Sequence, residues 1–214
     1  MSTTIYIIRH GQSMANKLDV FLGHHNMDLT ERGRQQAQRT AAFLKDIRPD
    51  VIYSSDLTRA YQTAEPTAEF FGLPIIKEPR LREIFAGEWE DVPFLTIAEK
   101  YPESFRTWRD DIGYACPDGG ESVMDLQKRV VQVVTEIAKK HPDQTVFIFT
   151  HATSLRVFAA QVMNKTRGEI KDVPWAPNAS VSKVVYDGEK FSLVEYGRDD
   201  FMGEIGTRLP PDIC

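Results

Sequence analysis

The chain has 214 residues, 42% hydrophobic and 27% charged, with 31 acidic against 26 basic side chains and a formal net charge of −5. That is enough material for one sizeable core, and a pI near 5.6 argues against bulk nucleic-acid binding. The opening Met-Ser-Thr-Thr-Ile-Tyr-Ile-Ile carries neither a basic leader nor an apolar run long enough to span a membrane, so a cytoplasmic protein without membrane partners is expected.

Prolines and glycines are scattered, and neither a linker nor a repeat interrupts the chain, so a single domain over 1–214 is expected. Cys116 and Cys214 do not make a disulfide framework, and the sequons at Asn164 and Asn178 carry no meaning without export.

In chain order, Ile5-Tyr6-Ile7-Ile8 reads as a buried strand that breaks off into Arg9, His10 and Gly11. Thr30 is placed to cap a helix from Glu31 to about Leu44, with Ala37, Ala41 and Leu44 at helical spacing. Val51-Ile52-Tyr53 is a second strand. It turns at Ser54-Ser55-Asp56 into a helix that Gly72 and Pro74 should stop, and Ile75-Ile76 is a weak third strand. Phe94, Ile97, Tyr101, Phe105 and Trp108 predict one amphipathic helix with an aromatic stripe, inside a lid-like insert at about 92–118.

A long helix from about Ser122 to His141 follows, then the most strand-like run, Thr145–Thr150, which ends on His151. Another helix runs to about Met163. The strands Val181–Tyr186 and Phe191–Tyr196, joined through Asp187-Gly188, predict an antiparallel hairpin at the sheet edge. The alternation predicts an α/β fold: a three-layer α/β/α sandwich with a mostly parallel central sheet and an antiparallel edge.

In such a sheet the strand carboxyl ends converge, which would collect Arg9 and His10, Arg59, Glu83 and His151 at one rim. Arginine offers a planar fork for phosphate oxygens, and neutral imidazole is a nucleophile or base. The set points to phosphoryl chemistry.

Beyond the individual residues, six ordered motifs resemble those of the histidine phosphatase superfamily, in its phosphoglycerate mutase-like branch. They are Arg9-His10-Gly11-Gln12-Ser13 with Asn16; Leu29-Thr30 with Gly33 and Gln36-Ala37; Ser54 to Ala64 around Arg59; Leu81 and Glu83 followed by Gly87-Glu88-Trp89-Glu90; Gly119 to Ser122; and Thr150-His151. The resemblance implies a small phosphomonoesterase in which His10 attacks phosphorus and Glu83 donates the proton. Arg9, Asn16, Arg59 and His151 would bind the phosphoryl group. It implies no cofactor and no metal; the partner is a small phosphate monoester, and a homodimer is compatible.

Gln12, Asp91 and Ala152-Thr153 depart from the common pattern, and the last pair puts specificity in doubt. The alternatives are a cofactor-dependent phosphoglycerate mutase-type phosphotransferase and a non-catalytic phosphate-ligand binding protein. The region after Glu83 lacks the tyrosine-glycine pattern and tandem arginines associated with mutases. A metal-dependent phosphatase is a poorer fit, because the arginines do a metal's work.

His24, His25 and His141 read as surface histidines, with His25 at the entrance. Asp110-Asp111 and Asp199-Asp200 read as solvated pairs, and Trp89 as a packing residue. If the aromatic stripe roofs the pocket, a hydrophobic or bulky leaving group is expected. Arg198 and Arg208 in the tail from Gly197 to Cys214 are within reach of a substrate only if that tail covers the site.

Overall fold

The computed structural model describes residues 2–207, so Arg208 and Cys214 lie outside the described residues. The elements in order are β1 (Thr3–Arg9), α1 (Met14–Leu18), β2 (Val20–Phe21), α2 (Glu31–Leu44), β3 (Val51–Ser54), α3 (Thr58–Phe71), β4 (Ile75–Lys77), β5 (Val92–Pro93), α4 (Phe94–Lys100), α5 (Pro102–Asp110), α6 (Val123–Lys140), β6 (Thr145–Thr150), α7 (Ala152–Val162), β7 (Val181–Tyr186) and β8 (Phe191–Arg198). Among the described residues the main sheet runs β4-β3-β6-β1-β7-β8. Its first four strands are parallel, and β7 and β8 add the antiparallel edge.

Side-chain alternation along the strands divides the core between the two faces of this sheet. Tyr6, Ile8, Ile52, Phe147 and Phe149 pack with Leu44 of α2 and Ala64 and Ala68 of α3. Ile5, Ile7, Tyr53, Val146 and Ile148 face the other way and pack with Leu126, Val130, Val133 and Val134 of α6 and Leu155 and Phe158 of α7. A fully buried Phe or Ile contributes about 1.5–3 kcal/mol relative to exposure, so central β6, buried on both faces, is a main source of stability.

The helix starts follow the sequence. Thr30 Oγ1 accepts from Gly33 N at 3.0 Å, and Ser122 Oγ accepts from Asp125 N at 3.1 Å. Gly72 ends α3 in the left-handed region at φ 65°.

The aromatic stripe forms two helices rather than one. Pro102 has no N–H to give and disfavours the helical conformation at Tyr101, so α4 stops with Tyr101 at φ −127°, ψ 55° and α5 restarts with Pro102 in its first turn. The stripe still packs on one body: Trp89, fully buried, has the rings of Tyr101, Phe105 and Trp108 at 6.4, 6.1 and 6.1 Å. A short β2–β5 pairing, unsignalled in the sequence, joins this segment to the loop after α1.

Asp91, just before that pairing, has φ 63°, a conformation that glycine adopts freely and Asp tolerates better than most residues. The tail as far as Thr207 lies against α2. Gln36 Nε2 donates to Ile205 O at 2.7 Å and to Thr207 Oγ1 at 2.9 Å, Arg32 reaches Ile205 O and Gly206 O, and Phe201 stacks on Phe43 at 4.1 Å. Among the described residues no helix is long and apolar enough to cross a membrane.

Candidate active site

A cavity of about 250 Å³ opens at the carboxyl ends of the parallel strands, and Arg9, His10, Asn16, Arg59 and Glu83 all contribute to its wall. His10 follows β1 directly and its backbone N–H donates to Thr150 O at 2.9 Å, continuing the β1–β6 ladder. The next residues turn against the start of α2. A Cβ on Gly11 would stand 2.6 Å from Gly33 O, and one on Gly33 would stand 2.1 Å from Gln12 O, so neither glycine can carry a side chain without backbone movement. Gly11 N also donates to Thr63 Oγ1 at 2.9 Å, which ties the loop to α3.

His10 is buried, and its Nδ1 lies 2.7 Å from Gly11 O. A carbonyl oxygen only accepts, so Nδ1 carries the proton and the lone pair is on Nε2. Burial first, then the positive fields of Arg59 and Arg9, hold its pKa well below the usual imidazole value, so the ring is neutral at ordinary pH.

Both arginines are fixed through backbone carbonyls. Arg9 Nη1 donates to Ala176 O at 2.5 Å, while Arg59 donates from Nη1 to His25 O at 3.0 Å and from Nη2 to Gly23 O at 2.8 Å. Burial lowers the Arg59 pKa to about 10 against the opposing fields of Glu83 and Glu90, which leaves it cationic at neutral pH. Asn16 forms a capping box with Ser13. Its Oδ1 accepts from Ser13 N at 3.0 Å and from Asn178 Nδ2 at 3.3 Å, so its amide N–H group is what remains to offer the cavity.

Glu83 is held on both oxygens, Oε1 by Ile84 N at 2.8 Å and Oε2 by Thr153 N at 3.1 Å. Its own backbone is clamped as well. Leu81 O accepts from Thr150 Oγ1 at 2.7 Å and Arg82 O from Ser154 Oγ at 2.9 Å; Glu83 O takes His24 Nε2 at 2.8 Å and Arg129 Nη2 at 3.2 Å.

His151, fully buried, lies behind the wall rather than on it, with its ring 5.3 Å from that of His10. Its Nε2 is 2.8 Å from Ser55 Oγ, and its buried Nδ1 has no hydrogen-bond partner among the described residues. Burial, and then Arg59, keep this imidazole neutral too.

Several expectations are corrected. His24 is half-buried and supports Glu83, and His141 is half-buried between Tyr53 Oη at 3.0 Å and Gln144 Oε1 at 2.7 Å, so neither is a plain surface residue. His25 is exposed but pairs with Glu90 at 3.4 Å and does not line the cavity. Arg198 is engaged by Asp200 at 2.7 Å and Glu195 at 3.5 Å, away from the cavity.

Asp110 pairs with Arg109 and Asp111 with Lys171, so these acids are surface ion pairs. The supporting roles of Ser55, Arg129 and the Thr153 N–H had no sequence signal of their own. They arise from contacts between segments far apart in the chain.

Fold and site together define an enzyme of the phosphate-monoester hydrolase class, an α/β protein with buried arginines and a neutral histidine at its strand ends. A family model described as the histidine phosphatase superfamily (branch 1) matches residues 5–199, and the chain belongs to that family. Phosphoserine phosphatase 1 of Hydrogenobacter thermophilus is 38% identical over 152 residues, 71% of this chain and 72% of its own. A metal-independent phosphoserine phosphatase of Arabidopsis thaliana is 31% identical over 95% of this chain and 85% of its own. Among solved structures, Bacillus stearothermophilus YhfR superposes with a TM-score of 0.90 at 30% identity, covering 94% of this chain and 99% of that one.

Proposed function

We propose that the protein hydrolyses small phosphate monoesters without a metal, through a phosphohistidine on His10. The observation that carries this reading is the His10 Nδ1–Gly11 O hydrogen bond, which leaves the Nε2 lone pair available beside Arg9 and Arg59. The phosphoryl oxygens accept from Arg9, Arg59 and the Asn16 amide, while the neutral His151, held at Nε2 by Ser55 Oγ, stands behind the wall with its ring 5.3 Å from that of His10. Charge spreads over those oxygens in the transition state, so fixed donors lower the barrier, each by about 3 kcal/mol.

His10 Nε2 forms the N–P bond as the ester P–O bond breaks, and Glu83 passes its proton to the departing alkoxide. Glu83 then takes a proton from water, whose oxygen attacks phosphorus; the N–P bond breaks, its electron pair returns to Nε2, and inorganic phosphate leaves. The chain would act as one unit, with the α4–α5 segment roofing the site through Phe94 and Trp108.

Hydrolysis is favoured over mutase chemistry by the cavity's charges. A mutase must hold the carboxylate of a re-bound acid, and among the described lining residues the basic ones are Arg9, His10 and Arg59, all used by the phosphoryl group. The test is phosphate release from a panel of monoesters in excess chelator, native against His10→Ala, with 3-phosphoglycerate assayed with and without bisphosphoglycerate. Metal-free release abolished by the substitution is expected. Activity that requires magnesium, or isomerisation exceeding release, refutes it.

A further inference from the structure

We propose that Asn178 is a positioning residue of the phosphoryl site: its buried amide N–H group bridges the backbone of His10 and the side chain of Asn16, and so fixes where the Asn16 amide stands relative to the attacking ring. The proposal rests on the reading above, in which His10 attacks phosphorus and Asn16 donates to a phosphoryl oxygen, and it adds a residue that acts on both.

Asn178 lies just before β7 and forms part of the cavity wall, with 1% of its surface exposed. Its Nδ2 donates to His10 O at 3.1 Å and to Asn16 Oδ1 at 3.3 Å. These partners settle which way the amide faces. His10 O is a carbonyl, and Asn16 Oδ1 already accepts from Ser13 N at 3.0 Å, so both are acceptors, and the reversed amide would set its oxygen against two others. At the far end, Asn178 Oδ1 has no hydrogen-bond partner among the described residues. A buried amide satisfied at its donor end and not at its acceptor end is held in place for its donors.

The tie matters because the other hold on Asn16 is local. Among the described residues its remaining side-chain hydrogen bonds come from Ser13, three positions earlier at the start of α1, and a five-residue helix has little rigidity of its own. Asn178 is 162 positions away, in a segment that already holds the residues around the nucleophile. Arg9 Nη1 donates to Ala176 O at 2.5 Å, Ala179 N donates to His10 O at 3.1 Å, and Arg9 N donates to Ser180 O at 3.2 Å. The segment is itself pinned. Ala179 has φ 58°, a conformation disfavoured for a residue with a Cβ, and it persists with its N–H on His10 O and its carbonyl accepting from Thr40 Oγ1 at 2.9 Å. Through the Asn178 amide, Asn16 is fixed to this scaffold rather than to α1 alone.

The test is a double-mutant cycle on kcat/KM for phenyl phosphate, with Asn178→Ala, Asn16→Ala and the two combined. Asn16→Ala removes a phosphoryl donor and should lower kcat/KM by about 10². Asn178→Ala leaves that donor present but poorly placed, and the loss should be about tenfold, carried by kcat more than by KM. In the Asn16→Ala background the same substitution should matter by less than about threefold, because no amide remains to be placed and His10 O keeps the Ala179 N–H. Asn178→Asp preserves the side-chain shape without its N–H donors and should fall at least as far as Asn178→Ala. Equal effects of Asn178→Ala in both backgrounds, or kcat/KM within about threefold of native for either Asn178 variant, would overturn the proposal.

Calorimetric binding of inorganic phosphate to the same proteins separates this proposal from the reading beneath it. Should native protein release no phosphate from esters, or His10→Ala release it as fast as native, the phosphatase reading fails. A loss of phosphate affinity in Asn178→Ala that disappears in the Asn16→Ala background would still support the bridge, and an additive or absent loss would refute it.

Discussion

Removing the Glu83 carboxyl should produce a loss whose size depends on the leaving group. A positioned general acid contributes about 10²–10⁴ in rate, or about 3–5 kcal/mol, when the departing alkoxide is poor, and far less when it is a stable phenolate. Glu83→Ala is therefore expected to lower kcat/KM for an alkyl ester such as glycerol 3-phosphate by about 10²–10⁴, and for an aryl ester by about tenfold or less. The customary isostere is a poorer probe at this position. Both carboxylate oxygens accept from backbone N–H groups, Ile84 N at 2.8 Å and Thr153 N at 3.1 Å, and an amide has one oxygen. Whichever way it turns, Glu83→Gln sets its NH₂ against an N–H donor and leaves that donor unsatisfied, at about 1–3 kcal/mol. For a chain of this size each kcal/mol lowers Tm by about 2–4 °C, so Glu83→Gln should melt measurably earlier. Paired kinetics on the two esters, with thermal melts of each variant, form the assay. An equal fractional loss on alkyl and aryl esters would show that Glu83 does not donate the proton.

Three further predictions follow from the same geometry. Arg59→Lys keeps a charge but loses the two-pronged hold on Gly23 O and His25 O, and kcat should drop by about 10²–10³; turnover within threefold of native would remove Arg59 from the phosphoryl site. His10 and His151 have folded-state pKa values depressed by burial, so below the unfolded value of about 6.5 the unfolded chain binds protons that the folded one does not. Stability present above about pH 6.5 should thus fall with pH by up to about 1.4 kcal/mol per unit for each ring, and denaturant unfolding of His10→Ala should show a shallower slope; an unchanged slope would contradict the burial argument. Gly33→Ala forces a Cβ to 2.1 Å from Gln12 O and should cost more than about 2 kcal/mol together with most activity, whereas a melt within 1 °C of native would mean that the loop yields freely.

Residue order alone determined much of this protein. Apolar runs ending on Arg9-His10 and Thr150-His151, caps at Thr30 and Ser122, and the Asp187-Gly188 turn are local signals, because capping, strand alternation and turn chemistry act within a few residues. The run ending on Arg9-His10 located two of the groups that line the cavity, since parallel strands bring their carboxyl ends to one edge, whereas His151, at the end of the other run, stands behind the wall. The sequence pattern misread Phe94 to Trp108 as one helix, because helical spacing persisted across Pro102 although the backbone could not.

What only the tertiary structure decided is which groups face one another. His24 and Arg129 hold the Glu83 carbonyl, Ser55 meets His151, and the Thr153 N–H meets the Glu83 carboxylate across 70 residues of chain. Asp19 joins Phe21 and Phe94 at the cavity because β2 pairs with β5. Hydrogen bonds and ring contacts of this kind depend on ångström-scale placement of segments distant in sequence, and no local periodicity encodes that placement.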